Sequence, residues 1–211
     1  MSAARVIKLL PGRTIFFVSD LQSCFSKAIH NFDHVVATTN KMLKVAKVHS
    51  IPVIASEQNP ARLGSTVPEL NFAQLGPLHL KTYGKMLFSL VTPEIEDYLK
   101  TPELQHLKSV VLMGIESHIC VLQTTLDLLE RGYDVHVLAD GVSSCNKEEI
   151  PWALARMRQA GAQITTSESA AFQIMADSAK PNFKAFAGII KEESETTKKT
   201  INALLGSSTT Y

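Results

Sequence analysis

A cysteine attacks an electrophilic carbon as its thiolate, so a nucleophilic cysteine needs a base, a nearby positive charge, or both. Cys120 stands where such help is available. It lies in Gly114-Ile115-Glu116-Ser117-His118-Ile119-Cys120-Val121, between the β-branched apolar run Ser109 to Ile115 and a segment with apolar residues at helical spacing, Ile119, Leu122, Leu126 and Leu129. Ser117 predicts an N-cap and Gly132 a helix stop. Cys120 then falls in the first turn, where unpaired N–H groups and the positive end of the helix dipole favour a thiolate. The same context also suits a small apolar residue packing a helix end, a common role of free cysteine. Asp20 directly follows Ile15-Phe16-Phe17-Val18-Ser19 and supplies a carboxylate beside Cys120 if the two runs are neighbouring strands; an Asx-turn or helix cap explains it as well. Lys81 and Lys85 lie in a Pro/Gly-rich stretch, where lysine is ordinarily solvated.

The scaffold for these groups is bounded by composition. With 211 residues, 45% hydrophobic, 19% charged and a net charge of +1, the chain fits one α/β domain with a sizeable core. The balanced charge gives no electrostatic argument for nucleic acid. Cys24, Cys120 and Cys145 are odd in number and include no C-x-x-C pair, which speaks against a disulfide scaffold or a structural zinc and for a reducing, cytoplasmic setting. Cys24 and Cys145 read as structural. The apolar stretch near the N-terminus is too short for a secretory signal, and no run approaches the ~20 apolar residues of a membrane span. Organelle targeting by the first residues stays open, and Ser208 to Tyr211 match no retention or peroxisomal signal.

Strand-like and helical runs alternate, as a mainly parallel sheet covered on both faces requires. Strands are predicted at 14–19, 52–56, 109–115, 134–139 and 163–166. Helices are predicted from Asp33 to His49, with Val36, Met42, Leu43 and Ala46 inward, from Pro93 to Leu99 with Thr92 as cap, and after Cys120. Further helices run from Asn146 to Ala160, from Ser167 toward Met175, and over 183–190. Thr101-Pro102 predicts another short helix. The connection Glu57 to Thr92 reads as a long functional loop, and Asp140-Gly141 as a turn. From Lys191 the composition turns polar, which predicts a tail that is mobile or docks on a neighbouring subunit, leaving 1–190 as the domain. In such sheets ligands bind past the carboxyl ends of the strands, which singles out Asp20, Glu57, the 116–120 turn and Asp140.

Asp20-Leu21-Gln22, Lys85-Met86-Leu87-Phe88-Ser89 and Gly114 to Val121, in that order, resemble the isochorismatase-like cysteine hydrolases. The stretches Glu57 to Leu70 and Thr124 to Gly132 resemble the isochorismatase domain-containing proteins in particular. The resemblance spans about residues 8–190. It implies a three-layer α/β/α, Rossmann-like fold and an Asp-Lys-Cys triad of Asp20, Lys85 and Cys120. Phe88-Ser89 favours Lys85 over Lys81. It further implies that the backbone N–H groups of Glu116 and Cys120 receive a negative intermediate oxygen across a cis Ile115–Glu116 peptide. Gln22, Phe88 and His118 are candidates for contact with substrate, and a surface or satisfied histidine is the simpler reading of His118.

The implied reaction is hydrolysis of a small amide, ester or related substrate, with no cofactor or metal, by a homo-oligomer that binds neither nucleic acid nor membrane. A metal-assisted nicotinamidase of this superfamily is disfavoured, because Ala55-Ser56-Glu57-Gln58-Asn59-Pro60 holds no histidine. No Gly-x-Gly-x-x-Gly follows the first strand. Gly84-Lys85 imitates a phosphate loop, but His79 and Met86 stand where glycine and a hydroxyl residue are needed. A noncatalytic interaction protein that keeps the fold and triad is the rival. An activated Cys120 predicts selective thiol labelling at mildly acidic pH.

Overall fold

Six segments of this chain become parallel strands, and helices cover both faces of the sheet they form. The structure, a computed structural model, describes residues 6–206. Residues 1–5 and 207–211, which hold part of the stretches weighed for targeting signals, lie outside them. In chain order the elements are β1 (Thr14–Ser19), α1 (Phe32–His49), β2 (Val53–Gln58), α2 (Pro60–Leu63), β3 (His79–Lys85), α3 (Pro93–Leu99), β4 (Ser109–Ile115), α4 (Leu122–Glu130), β5 (Asp134–Ser143), α5 (Glu149–Ala160), β6 (Gln163–Thr165), α6 (Ser167–Met175), α7 (Phe183–Glu192) and α8 (Ser194–Leu205).

The strand order is β3-β2-β1-β4-β5-β6. The chain therefore winds outward from β1 in one direction and then returns to start the other half at β4. Past the carboxyl ends of β1 and β4 the connections diverge, which opens a crevice for a ligand. Strand alternation sorts the side chains between the two faces. Phe16 and Val18 of β1, with Val111 and Met113 of β4, pack under α1, α6 and α8, while Ile15, Phe17, Val110 and Leu112 pack under α3, α4 and α5. Each such side chain is fully buried and contributes about 1.5–3 kcal/mol. Both core faces thus clamp the two strands whose ends carry Asp20 and the Cys120 turn.

Gly114 brings those ends together. Ser19 pairs with Gly114 in the β1–β4 register, and φ at Gly114 is +119°. A Cβ there would meet Ser19 N at 2.7 Å and Ser19 O closer still, so only glycine permits this approach.

Several sequence expectations change. The long connection is not structureless: it holds α2 and the edge strand β3, which pairs with β2 from Val53↔His79 to Gln58↔Lys85. An edge strand has one paired side, so His79-Leu-Lys-Thr-Tyr-Gly-Lys85 lacks the apolar run that marks the central strands. Thr101-Pro102 opens turns, closed by Leu104 N donating to Thr101 O at 3.0 Å, and no helix. The helix expected from Asn146 begins at Glu149. Asp140 and Gly141 lie inside β5, and Asp140 accepts bonds from Ser167 N at 2.7 Å and from Ser167 Oγ, tying down the start of α6.

Within the segment read as a mobile or subunit-docking tail, residues 191–205 form the end of α7 and all of α8, which pack on their own chain. Thr197, Thr200 and Leu204 are buried at helical spacing against α1. Lys41 Nζ donates to Thr197 Oγ1 at 3.0 Å, and Lys44 Nζ pairs with Glu192 at 2.7 Å and Glu193 at 2.6 Å. One narrow face suffices to dock this helix, so its overall polarity looked like that of a tail.

In the middle of β5, His136 is 1% exposed and neither ring nitrogen has a hydrogen-bond partner. Burial pushes its pKa from 6.5 down to about 4, with Asp134 opposing weakly. The folded state thus holds the neutral ring. Stability from this site is complete above pH 6.5 and is lost as pH falls toward 4, by up to about 3 kcal/mol. In urea titrations, His136→Leu is expected to remove about that much of the acid-side loss.

Candidate active site

Asp20 is placed by a backbone that turns sharply as it leaves β1. Its φ is +51°, in the left-handed region, and its N–H donates to Ser56 O at 3.1 Å. That conformation costs of order 1–3 kcal/mol in a residue with a Cβ, and the side chain's contacts offset it. Oδ1 accepts from Ser56 Oγ at 2.7 Å, and Oδ2 from Lys85 Nζ at 2.8 Å and Ser19 Oγ at 3.3 Å. The carboxylate is 2% exposed and fully partnered.

Lys85 ends β3, and its side chain is wholly buried. Besides Asp20, Nζ is 2.7 Å from Gln58 Oε1, 3.0 Å from Phe88 O and 3.2 Å from Leu87 O. It lies 3.8 Å from Cys120 Sγ. Lys81, the other candidate, pairs with Glu94 at the surface and lies over the Tyr83 ring, so it has no part here.

Cys120 sits in a single π-type turn, Ser117–Val121, between β4 and α4. Val121 N donates to Glu116 O at 3.1 Å, an i→i−5 bond of the kind found at functional sites. Glu116, not Ser117, occupies the N-cap position; Ser117 Oγ is buried without a partner. The Ile115–Glu116 peptide is cis. Thr124 Oγ1 donates to Cys120 O at 2.6 Å and accepts from Leu90 N at 2.9 Å, which joins the turn to the loop after Lys85.

The thiol is 7% exposed, and burial first, then the Asp20 carboxylate, pushes its pKa from 9.0 up to about 12. Lys85 and the Glu116 N–H oppose this and lose. The resting sulfur is therefore protonated and donates to Asp20. Against the expectation of a thiolate held by the helix end stand a carboxylate and an apolar wall, which together outweigh one ammonium.

A cavity of about 180 Å³ opens above the sulfur. Phe25, Leu63, Phe88, Ile115 and Ile119 form its apolar walls, and Asp20, Gln58, Glu116 and Cys120 its polar ones. Gln22 and His118 do not line this cavity. Gln22 accepts from Gln58 N at 2.7 Å and donates to Gly64 O at 2.6 Å, which splints β2 to the following loop. His118 Nδ1 bonds Ser144 Oγ at 2.9 Å on the far side of the turn. Glu57 accepts from Thr66 N at 2.7 Å and serves the same loop. Cys24 and Cys145, read as structural, are exposed.

The family model described as Isochorismatase domain matches residues 14–169. The chain belongs to the isochorismatase-like hydrolase family. Isochorismatase domain-containing protein 2 of Xenopus laevis is 44% identical over 191 residues, 90% of each chain. A Phytophthora sojae protein named Secreted isochorismatase effector Isc1 is 44% identical across 89% of each chain. The solved structure of MAR1 ribonuclease from Caenorhabditis elegans matches with a TM-score of 0.79 and 38% identity, covering 88% of this chain and 93% of that one. The six-stranded parallel sheet with helices on both faces is the isochorismatase-like α/β fold.

Around the Cys120 turn, Ser56, Gln58 and Thr124 are candidate-site residues that sequence reasoning passed over. Ser56 and Gln58 lie within the last three residues of β2, which runs to Gln58 and so carries them to the level of Asp20. Thr124 stands one helical turn after Cys120.

Two outcomes follow from these contacts. Lys85→Met leaves the Asp20 carboxylate buried without its cation and is expected to cost about 3–5 kcal/mol in urea unfolding. Cys120→Ala removes no charge and is expected to cost far less. In the free protein, iodoacetamide should label Cys24 and Cys145 before Cys120. The Cys120 rate should climb about tenfold per pH unit through pH 9 without a plateau, as a pKa of about 12 requires; a plateau below that pH would show a preformed thiolate.

Proposed function

We propose that this protein is a cysteine hydrolase that cleaves a small, neutral amide or ester by attack of Cys120. The observation that carries the reading is the contact set at the cavity floor: one buried ammonium, 2.8 Å from Asp20 and 3.8 Å from the Cys120 sulfur.

With the thiol at about 12, forming a free thiolate at neutral pH before attack would cost about 7 kcal/mol. Proton transfer must therefore accompany attack. Asp20, which already accepts from the thiol, takes the proton as the sulfur bonds to the carbonyl carbon. The carbonyl oxygen gains the negative charge and is received by the N–H groups of Glu116 and Cys120. Collapse of the intermediate breaks the bond to the leaving amine or alcohol, which receives the proton from Asp20 and leaves a thioester. Water, deprotonated by Asp20, then attacks the thioester, releases the acid and returns the proton to the sulfur. Lys85 keeps the carboxylate oriented and favours charge on the sulfur.

Neutrality of the substrate rests on the walls. Among the described residues no cationic side chain lines the cavity, since Lys85 is enclosed by its four oxygens, and the carboxylate at its floor is that of Asp20. A dicarboxylate or a phosphodiester would enter without a countercharge. Self-association belongs to the same reading: α5 and α6 present Trp152 and Phe172 to solvent at 76% and 47% exposure.

The test uses p-nitrophenyl acetate, a small neutral activated ester. Mass spectrometry of quenched protein should find acetyl on Cys120, released with turnover, and Cys120→Ala should lose at least a hundredfold in rate while staying folded. Undiminished turnover in Cys120→Ala would remove the mechanism. Acetyl on Cys24 or Cys145 but not on Cys120 would favour the noncatalytic interaction protein.

A further inference from the structure

Beside the Cys120 turn, Glu116, His118 and Cys145 each present one ligand atom, and these atoms all lie within 4.8 Å of one another. The sheet register brings them there. Ile115 of β4 pairs with Ser143 of β5, so the residues just past the two strand ends meet although 26 positions separate His118 from Ser144.

We propose that Glu116, His118 and Cys145 form a zinc site with an open fourth position. A thiolate, an imidazole and a carboxylate are a donor set that suits zinc and poorly suits magnesium or calcium, which take oxygen ligands. With Zn–S of about 2.3 Å and Zn–N or Zn–O of about 2.1 Å, tetrahedral ligand atoms stand roughly 3.4–3.6 Å apart. The cluster needs to contract by about 1 Å, within reach of side-chain rotation. Ser144 Oγ, 2.9 Å from Nδ1, holds the imidazole in place, as an outer partner does at metal sites. Cys145 N donates to Glu116 Oε2 at 2.8 Å, which fixes the carboxylate. To ligate, Cys145 must give up the proton of its S–H bond. Binding replaces that S–H bond by an S–Zn bond and releases the proton to solvent. Cys145 is exposed, so metal can enter, and water takes the remaining position.

The site stands whether or not Cys120 is a nucleophile, because its test reads metal and not turnover. Full-length protein freed of metal is titrated with Zn²⁺ against a chromogenic chelator, with Mg²⁺ as control, and separately with Co²⁺ to follow sulfur-to-metal charge transfer. One equivalent of Zn²⁺ should bind. Cys145→Ser and His118→Ala should each weaken binding by at least about tenfold. The Co²⁺ charge-transfer band should vanish in Cys145→Ser and persist in Cys120→Ala. Cys145→Ser replaces an exposed thiol by a hydroxyl and keeps the fold. No binding by the wild type, equal binding by Cys145→Ser, or a band lost only in Cys120→Ala would each overturn the proposal.

Discussion

The buried pair of Lys85 and Asp20 is the constraint on which the site depends. Neither charge could be buried alone, since removing an ion from water costs several kcal/mol even after relaxation. The protein meets that cost with geometry. Four oxygens surround the ammonium, and hydroxyls of Ser19 and Ser56 complete the carboxylate. Those partners come from β1, β2, the end of β3 and the loop behind it, so satisfying two charges fixes the relative position of three strand ends. The sulfur from β4 then has one place to go.

The same arrangement explains why the thiol is protonated at rest. A thiolate would add a second anion beside Asp20 in an apolar pocket, and one lysine does not offset both. In the proposed reaction Asp20 would therefore act as a base on a neutral thiol. The glycine at position 114 belongs to this logic, because the close approach of β1 and β4 that it permits sets the distance between base and sulfur.

Much of this was legible in the chain. β1, β4 and the body of α1 are buried on every relevant face, so their apolar patterns are strong, and the carboxyl-end rule picked out Asp20 and the 116–120 turn. β3 was not legible, because an edge strand with lysines and a glycine carries no periodic apolar signal. α8 was hidden for a related reason: it docks by Thr197, Thr200 and Leu204, two of which are polar. Ser56, Gln58 and Thr124 are ordinary residues until the fold gives them partners. His118 bonds Ser144, as a satisfied histidine would, and its nearness to Cys120 along the chain does not say which side of the turn it faces.

The sequence by itself determined the α/β class, the order of the central elements, and the residue types at the strand ends, because burial periodicity and strand-end rules are local properties. Tertiary structure decided which lysine reaches Asp20, that the thiol is neutral, and that Cys145 lies beside Glu116 and His118. Those outcomes depend on sheet order, register and the summed desolvation of groups distant in the chain, and no local pattern encodes them.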